Sequence, residues 1–282
     1  AEDFANKSAN FSNVTFKITD GYMEITPITD EVVVTIAGNN TSKVYDGTEH
    51  EVTGYDVTGI SNPLYEETDI HFSGNAEVRG TNADTYEMGL SADDFTNISG
   101  NFANVRFDVT DGFLKITKRE VEFTANSASK AYDGKALTDD GYTLTGGSLA
   151  ENQNETVTIV GSQTLVGSSD NEITEVRIVA GGAVTRALGE DVTDNYAITT
   201  IKGTLTVTDG TENDPVDPGK VVTKTHEDAA YDLGETVTFT ISVTNIYDTA
   251  KTITITELPG VAIEGADASK PNVLVVTNVP AG

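Results

Sequence analysis

Residues 1–28, AEDFANKSANFSNVTFKITDGYMEITPI, are followed at residues 92–119 by a second copy, ADDFTNISGNFANVRFDVTDGFLKITKR. At this offset of 91 residues, 15 of the 28 positions are identical. A second motif recurs at an offset of 87, because SKVYDG at Ser42–Gly47 is matched by SKAYDG at Ser129–Gly134. A unit of about 90 residues is a whole domain, well above the ~20–50 residues of a solenoid repeat. The sequence therefore predicts a tandem array of domains.

The two offsets set the expected domain limits. Residues 1–28 match the end of the following copy, so we interpret them as the C-terminal part of a preceding repeat. Complete repeats are expected at 29–118, here called repeat 1, and at 119–208, here called repeat 2. A divergent copy of the first block, Asp194–Tyr196 and the strand after it, closes repeat 2.

The pattern of residues predicts strands throughout. Short apolar runs at Val32–Ile36 and Val121–Phe123 are typical of strands, and Asp-Gly pairs separate them as turns. Thr236–Thr244 alternates hydroxyl and apolar residues without an error, as in an antiparallel strand with one buried face. Before it, residues 209–219 carry four acidic residues, two prolines and no basic residue, which indicates an extended acidic linker. The predicted fold class is all-β.

The composition limits the possible functions. The 45 Asp and Glu residues outnumber the 17 Lys and Arg residues and give a net charge of −28, which opposes binding to nucleic acid or to an anionic membrane surface. The absence of cysteine excludes disulfides and cysteine-based metal or redox sites. No apolar run approaches the ~18 residues of a membrane span, so no membrane insertion is expected.

Few residues suggest chemistry. The three histidines, His50, His71 and His226, share no metal-ligand spacing. No nucleophile, base and orienting group can be assembled from the sequence, so we predict no enzyme activity and no cofactor. The acidic clusters Asp93–Asp94, Asp139–Asp140 and Glu212–Asp214 lack the spacing of a known calcium loop. They fit solvated loops better, and weak binding of Ca²⁺ stays an open alternative.

The repeats resemble the YDG and MBG ("mostly β-grasp") modules, which occur in tandem in large bacterial surface proteins. The resemblance covers residues 29–208 and the partial unit at 1–28, and it departs from the pattern where repeat 2 lacks a close match to Phe107–Asp111. It implies tandem β-grasp-like domains on the outside of a bacterial cell. The motif that names the family falls on Tyr45, Asp46 and Gly47, and again on Tyr132, Asp133 and Gly134.

The interpretation of the Tyr-Asp-Gly motif that we favour is structural. Asp-Gly supplies a tight turn, since glycine tolerates a positive φ and Asp bonds nearby backbone amides. The preceding tyrosine would lay its ring on the core and keep its hydroxyl at the edge. A ligand-binding role is the alternative.

Residues 220–282 are similar to another family, the immunoglobulin-like surface repeats, through Tyr231–Asn245 and Ile255–Gly260. This resemblance implies a β-sandwich whose closing strands would lie beyond Gly282, hence a truncated domain. It also implies that Lys224 is placed to form an internal isopeptide bond, assisted by the carboxylate of Glu257, with a partner beyond Gly282. An ordinary surface lysine is the alternative.

Two functions from different classes follow. The first is a non-catalytic stalk or spacer of a bacterial cell-surface protein, whose partners are the neighbouring repeats of the same chain. The second is an adhesin segment that binds a host glycan or protein. The repeats differ most at 60–86 and 149–184, so a binding surface would be sought there.

Overall fold

Strands dominate the computed structural model, which describes residues 3–181, 189–210, 215–226 and 230–282. Strand residues make up 48% and helical residues 5%, which confirms the all-β class. The helices are three 3₁₀ turns (Glu67–Asp69, Ala92–Asp94 and Thr193–Asn195) and one α-helical turn, α1 (Pro218–Val221). None of the described helices has the length and apolar character that crossing a membrane requires.

The chain divides into two compact units. The first contains Ala1–Thr41, Glu51–Arg79 and Tyr86–Leu114. The second contains Ser42–His50, Gly80–Thr85 and Lys115–Gly282. The second unit therefore holds the Tyr-Asp-Gly turn of repeat 1 together with repeat 2 and the C-terminal segment.

Repeat 1 is built around a three-stranded sheet. Its strands, in chain order, are β1 (Val32–Gly38), β2 (Asn40–Val44), β3 (His50–Thr53), β4 (Tyr55–Ile60), β5 (Ile70–Phe72), β6 (Glu77–Gly80), β7 (Thr85–Glu87), β8 (Phe95–Asn97), β9 (Val105–Thr110) and β10 (Phe113–Thr117). In the central sheet β1 lies between β4 and β9, antiparallel to β4 and parallel to β9. The smaller sheets are β2-β10-β7, β3-β6 and β5-β8.

Period-two alternation explains why β1 forms the core of the first unit. Val32, Val34 and Ile36 are at most 1% exposed, while Thr35 between them faces solvent. Aromatic rings complete this core. The ring centroid of Phe95 lies between 5.0 and 5.7 Å from those of Tyr55, Phe72 and Phe107.

Repeat 2 reproduces this central sheet. Its strands are β11 (Arg119–Ala125), β12 (Ala128–Ala131), β13 (Tyr142–Gly147), β14 (Gln153–Val160), β15 (Gly167–Ala180), β16 (Glu190–Asp191), β17 (Tyr196–Ile201) and β18 (Gly203–Thr208). As β1 does in repeat 1, β11 lies between an antiparallel strand, β13, and a parallel strand, β17. Even the irregularity in register recurs, after Thr35 in β1 and after Glu122 in β11. The second sheet has the order β12-β18-β15-β14, with β16 beside β15.

The C-terminal segment forms two strand pairs. The strands are β19 (Val222–His226), β20 (Phe239–Val243), β21 (Lys251–Thr256) and β22 (Val273–Val279), paired antiparallel as β19-β20 and β21-β22. Strand β20 lies within the predicted stretch 236–244, but Phe239 on its apolar face is still 45% exposed. Of the predicted linker, Glu212 and Asp214 lie outside the described residues. Its last residues begin α1, where the carboxylate of Asp217 accepts a hydrogen bond from the Gly219 amide at 2.9 Å.

Residues 3–27 form no strand in the described structure, although the matching residues of repeat 1 form β8, β9 and β10. Their apolar side chains are exposed, and Tyr22 and Ile25 reach 89% and 81%. Ile116, the equivalent of Ile25, is 3% exposed. Strand β9 is paired along its length with β1, and no described strand pairs in this way with residues 14–19.

Candidate functional site

The Asp-Gly pair of the first motif forms a hydrogen-bonded turn. One carboxylate oxygen of Asp46, Oδ1, accepts hydrogen bonds from the Thr48 amide at 2.9 Å and the Thr48 hydroxyl at 2.7 Å. The same oxygen lies 3.1 Å from Nε2 of His50. Gly47 adopts a φ of +79°, a conformation that side chains with a Cβ rarely tolerate. Asp46 and Gly47 therefore both stabilise the turn in which they lie.

The second motif repeats the turn with different partners. Asp133 Oδ1 accepts hydrogen bonds from the Lys135 amide at 2.9 Å and from Lys130 Nζ at 2.7 Å. Gly134 has a φ of +75°. In both repeats the carboxylate thus bonds the amide two residues further along the chain, which is the local bonding expected of aspartate in a turn.

These hydrogen bonds shift the titration of both carboxylates. Partial burial by itself would raise the pKa of Asp46, but the hydrogen bonds from Thr48 and His50 outweigh it and hold the pKa below its ordinary value. The hydrogen bond from Lys130, followed by that from the Lys135 amide, lowers the pKa of Asp133. Compared with the unfolded chain, the folded chain therefore favours the charged form of both carboxylates.

We expect the Asp46→Asn variant to be less stable than the native chain at neutral pH, with the difference vanishing in acid. The folded-state pKa of Asp46 lies below the unfolded one, so its stabilisation is present above the unfolded pKa and is lost as pH falls through the folded pKa. Because the carboxylate is partly exposed, the difference at pH 7 should be only about 0.5 kcal/mol. Thermal unfolding followed from neutral to acidic pH measures it. Asp56→Asn, at an exposed position of β4, controls for the charge change, and a difference for Asp46→Asn that persists in acid would contradict the assignment.

Both motif tyrosines are buried. Tyr45 is 2% exposed and Tyr132 is 8% exposed. The Tyr45 hydroxyl does not lie free at the edge of the core, because it accepts a hydrogen bond from Nε2 of Gln153 at 2.8 Å. A soluble ligand would have to displace protein contacts to reach either ring.

The structure brings together Lys224 and Glu257, the pair singled out in the C-terminal segment. Lys224 Nζ donates a hydrogen bond to Glu257 Oε1 at 2.8 Å and lies 4.7 Å from the ring centroid of Phe239. The Glu257 side chain is only 15% exposed, so the pair is partly shielded from water. The bond partner was placed beyond Gly282, so the isopeptide bond stays a prediction.

No metal site is visible in the described part of the chain, which contains no group of three or more His, Asp or Glu side chains arranged to hold an ion. His50 contacts Asp46, and the ring of His226 packs 5.8 Å from that of Phe239. Weak binding of Ca²⁺ to the acidic loops stays a hypothesis.

Sequence reasoning missed three buried asparagines. Asn171, Asn195 and Asn245 are at most 5% exposed. Asn245 Nδ2 donates to three backbone carbonyls, those of Thr249, Val279 and Pro280. Asparagine is usually a surface or turn residue, so nothing in its local sequence marks it as buried. The repeats give no signal for Asn195 either, because Asn104, which directly precedes β9 as Asn195 directly precedes β17, is exposed.

A comparison with models of protein families found one match, to part of this chain. Residues 32–118 match the MBG domain. The match covers repeat 1 and supports the resemblance seen in its sequence. Searches of curated proteins and of solved structures found no match. Repeat 2 shares with the matched segment the arrangement of three strands in which a central strand has one parallel and one antiparallel neighbour.

Proposed function

We propose that this chain is a non-catalytic spacer, a tandem array of β domains that holds another part of a bacterial cell-surface protein away from the cell. The observation that carries the proposal is the MBG domain at 32–118, whose motif and central sheet recur in residues 119–208. A domain copied within one chain adds length without adding a new site. The natural partners of each domain are then its neighbours in the chain.

The side chains that could take part in catalysis or binding contact other groups of the protein, which supports a structural role. Asp46 is engaged with Thr48, Asp133 with Lys130, and Lys224 with Glu257. Each of these groups completes a turn or an ion pair of the protein itself. Catalysis would instead require a nucleophile, a base and an orienting group that converge on open space.

The adhesin alternative would need an apolar or aromatic surface patch in one of the two segments where the repeats differ most, 60–86 and 149–184. In residues 60–86, all of which the structure describes, Leu64 is the one large apolar side chain that is exposed, at 70%. One isolated side chain is common on soluble proteins and does not form a patch. In the other segment, 149–184, Val160 is the one such side chain among the described residues 149–181, at 60%. These observations favour the spacer.

Small-angle X-ray scattering of the full chain should show an elongated particle. Each ~90-residue domain is ~30 Å across by the usual size scaling, so three domains in a row would span close to ~100 Å. Repulsion among the acidic residues is screened beyond ~10 Å at 0.1 M salt, so we expect only slight shortening at high salt. A globular particle would contradict the spacer. Binding of the same chain to a glycan array would favour the adhesin.

A further inference from the structure

Tyr45 belongs to repeat 1, but its side chain lies among residues of repeat 2, within the second compact unit. Its ring meets the ring of Tyr196 edge-on, with centroids 5.5 Å apart. Gln153 links the two hydroxyls, since its Nε2 donates to Tyr45 at 2.8 Å and its Oε1 accepts from Tyr196 at 2.6 Å. The Tyr196 hydroxyl in turn accepts a hydrogen bond from the Ala150 amide at 2.9 Å. These buried polar groups thus satisfy one another, which offsets the cost of removing them from water.

Two more contacts surround this tyrosine pair. The guanidinium of Arg119, at the start of β11, donates to the Tyr45 carbonyl at 3.3 Å and to the Ser148 hydroxyl at 2.7 Å. Next to Tyr196, the buried Asn195 accepts a hydrogen bond from the Ala83 amide at 2.7 Å. Two segments of repeat 1, 42–50 and 80–85, therefore contact repeat 2 through hydrogen bonds as well as through the ring of Tyr45.

The glycine of the motif is also part of this contact. A Cβ at Gly47 would lie 3.0 Å from Nε2 of Gln153 and 3.5 Å from Cβ of Ala150. The positive φ of Gly47 makes a side chain unfavourable in any case. The turn therefore has two roles: it orients the tyrosine, and it lets the backbone approach the following repeat.

Tyr132, the equivalent tyrosine of repeat 2, meets the segment that follows repeat 2. It shares a buried cluster with Val207 and with Ile246 of the C-terminal segment, both at most 6% exposed. Backbone hydrogen bonds join the same regions, because the Val166 amide donates to the Ile246 carbonyl at 2.7 Å and the Asp248 amide donates to the Val166 carbonyl at 3.3 Å. Partly buried apolar side chains surround the cluster, namely Leu137, Leu165, Val166, Val216, Val221 and Tyr247.

We propose that the tyrosine of each Tyr-Asp-Gly motif docks its repeat onto the domain that follows, and that the motif is the joint of the array. The following domain supplies the receiving surface, which is polar for Tyr45 (Gln153 and Tyr196) and apolar for Tyr132 (Ile246). The Asp-Gly turn keeps the same carboxylate-to-amide hydrogen bond and a positive φ at glycine in both repeats, whereas the receiving surface differs. A spacer and an adhesin would both need such joints, so the role of the motif is independent of the choice between them.

Amide hydrogen exchange in the full 282-residue chain, resolved by residue with NMR, tests the two joints separately. The Ala150 amide reports on the first joint, and the Val166 and Asp248 amides report on the second. We expect Tyr45→Ala to accelerate exchange at Ala150 about tenfold or more, the ratio that corresponds to losing a buried hydrogen bond, and to leave Val166 unchanged. Tyr132→Ala should do the reverse. Each variant is thus the matched control of the other.

Milder variants keep the test decisive if an alanine variant fails to fold. Tyr45→Phe keeps the ring and removes the hydroxyl, and Gln153→Ala removes the receiving group from repeat 2. Both should accelerate exchange at Ala150, and the double variant should add little to Gln153→Ala, because the hydrogen bond that Tyr45→Phe removes is already broken in Gln153→Ala. Unchanged exchange at Ala150 in all these variants would overturn the proposal. So would acceleration confined to β1, which would place the role of Tyr45 inside its own repeat.

Discussion

Replacing Phe123 by alanine should lower the free energy of unfolding of repeat 2 by about 3–5 kcal/mol. Phe123 is fully buried in β11, the middle strand of the β13-β11-β17 sheet, and its ring centroid lies 6.0 Å from that of Tyr142. Removing the ring leaves a cavity between fixed strands, which cannot close without distorting the sheet. Urea-induced unfolding of the full chain, followed by circular dichroism, measures the change.

Phe11→Ala is the matched control for this experiment. The same atoms are removed, but Phe11 is 66% exposed, so the free energy of unfolding should change by less than about 0.5 kcal/mol. Equal losses of stability in the two variants would show that β11 is not the centre of a packed core. A loss confined to Phe123→Ala would support the equivalence of β11 and β1, since Ile36 is the buried counterpart in repeat 1.

The buried strands of both repeats could be predicted from the sequence. The apolar runs Val32–Ile36 and Val121–Phe123 are short, and they form most of β1 and the middle of β11. The repeat offset adds information that one run alone lacks, because it places Phe123 at the position of the buried Ile36. Hydrophobic patterning is local, so it identifies a buried strand even when the partner strands are unknown.

The direction of strand pairing could not be predicted. β1 pairs with β9 in parallel, with Val32 opposite Val105, although the two strands are far apart in the sequence. Period-two alternation reports which face of a strand is buried and carries no information about the neighbour on either edge. Parallel neighbours require a long connection, and here most of repeat 1 forms it.

The contacts of Tyr45, like the strand pairing, could not be predicted from the local sequence. Asp46 and Gly47 determine a local turn, which the sequence indicates well. The hydrogen bond from Gln153 to Tyr45 joins residues 108 positions apart, and no local pattern predicts such a contact. The recurrence of the motif shows that it is used twice. Only the packing shows that each copy faces a domain that follows.

Asn171 is the buried polar residue that the sequence conceals most completely. It lies in β15 within the polar run Ser168–Glu172, which is typical of a surface strand, yet it is 0% exposed. Its Nδ2 donates to the carbonyls of Asn126 at 3.0 Å and Asp139 at 2.9 Å, and so ties β15 to the end of β11 and to a loop. The other side-chain atom, Oδ1, has no hydrogen-bond partner.

An aspartate at this position should therefore be strongly destabilising at neutral pH. Asn171→Asp replaces the amide nitrogen by an oxygen that cannot donate, so two carbonyls lose their hydrogen bonds and face an unpaired buried charge. We expect the free energy of unfolding to fall by about 3–5 kcal/mol at pH 7. Asn75→Asp makes the same charge change at an exposed loop position and should alter stability by less than about 0.5 kcal/mol.

The loss in Asn171→Asp should also depend on pH in a direction opposite to ordinary acid denaturation. Burial disfavours the charged carboxylate and raises its pKa in the folded state above the unfolded value. The protonated acid can still donate one hydrogen bond to a carbonyl, so part of the stability is present below the unfolded pKa and is lost as pH rises through the folded pKa. Urea unfolding of Asn171→Asp, Asn75→Asp and the native chain at pH 4 and pH 7 measures this. The gap between Asn171→Asp and the native chain should narrow at pH 4, and an equal gap at both values would contradict the burial of this side chain between two carbonyls.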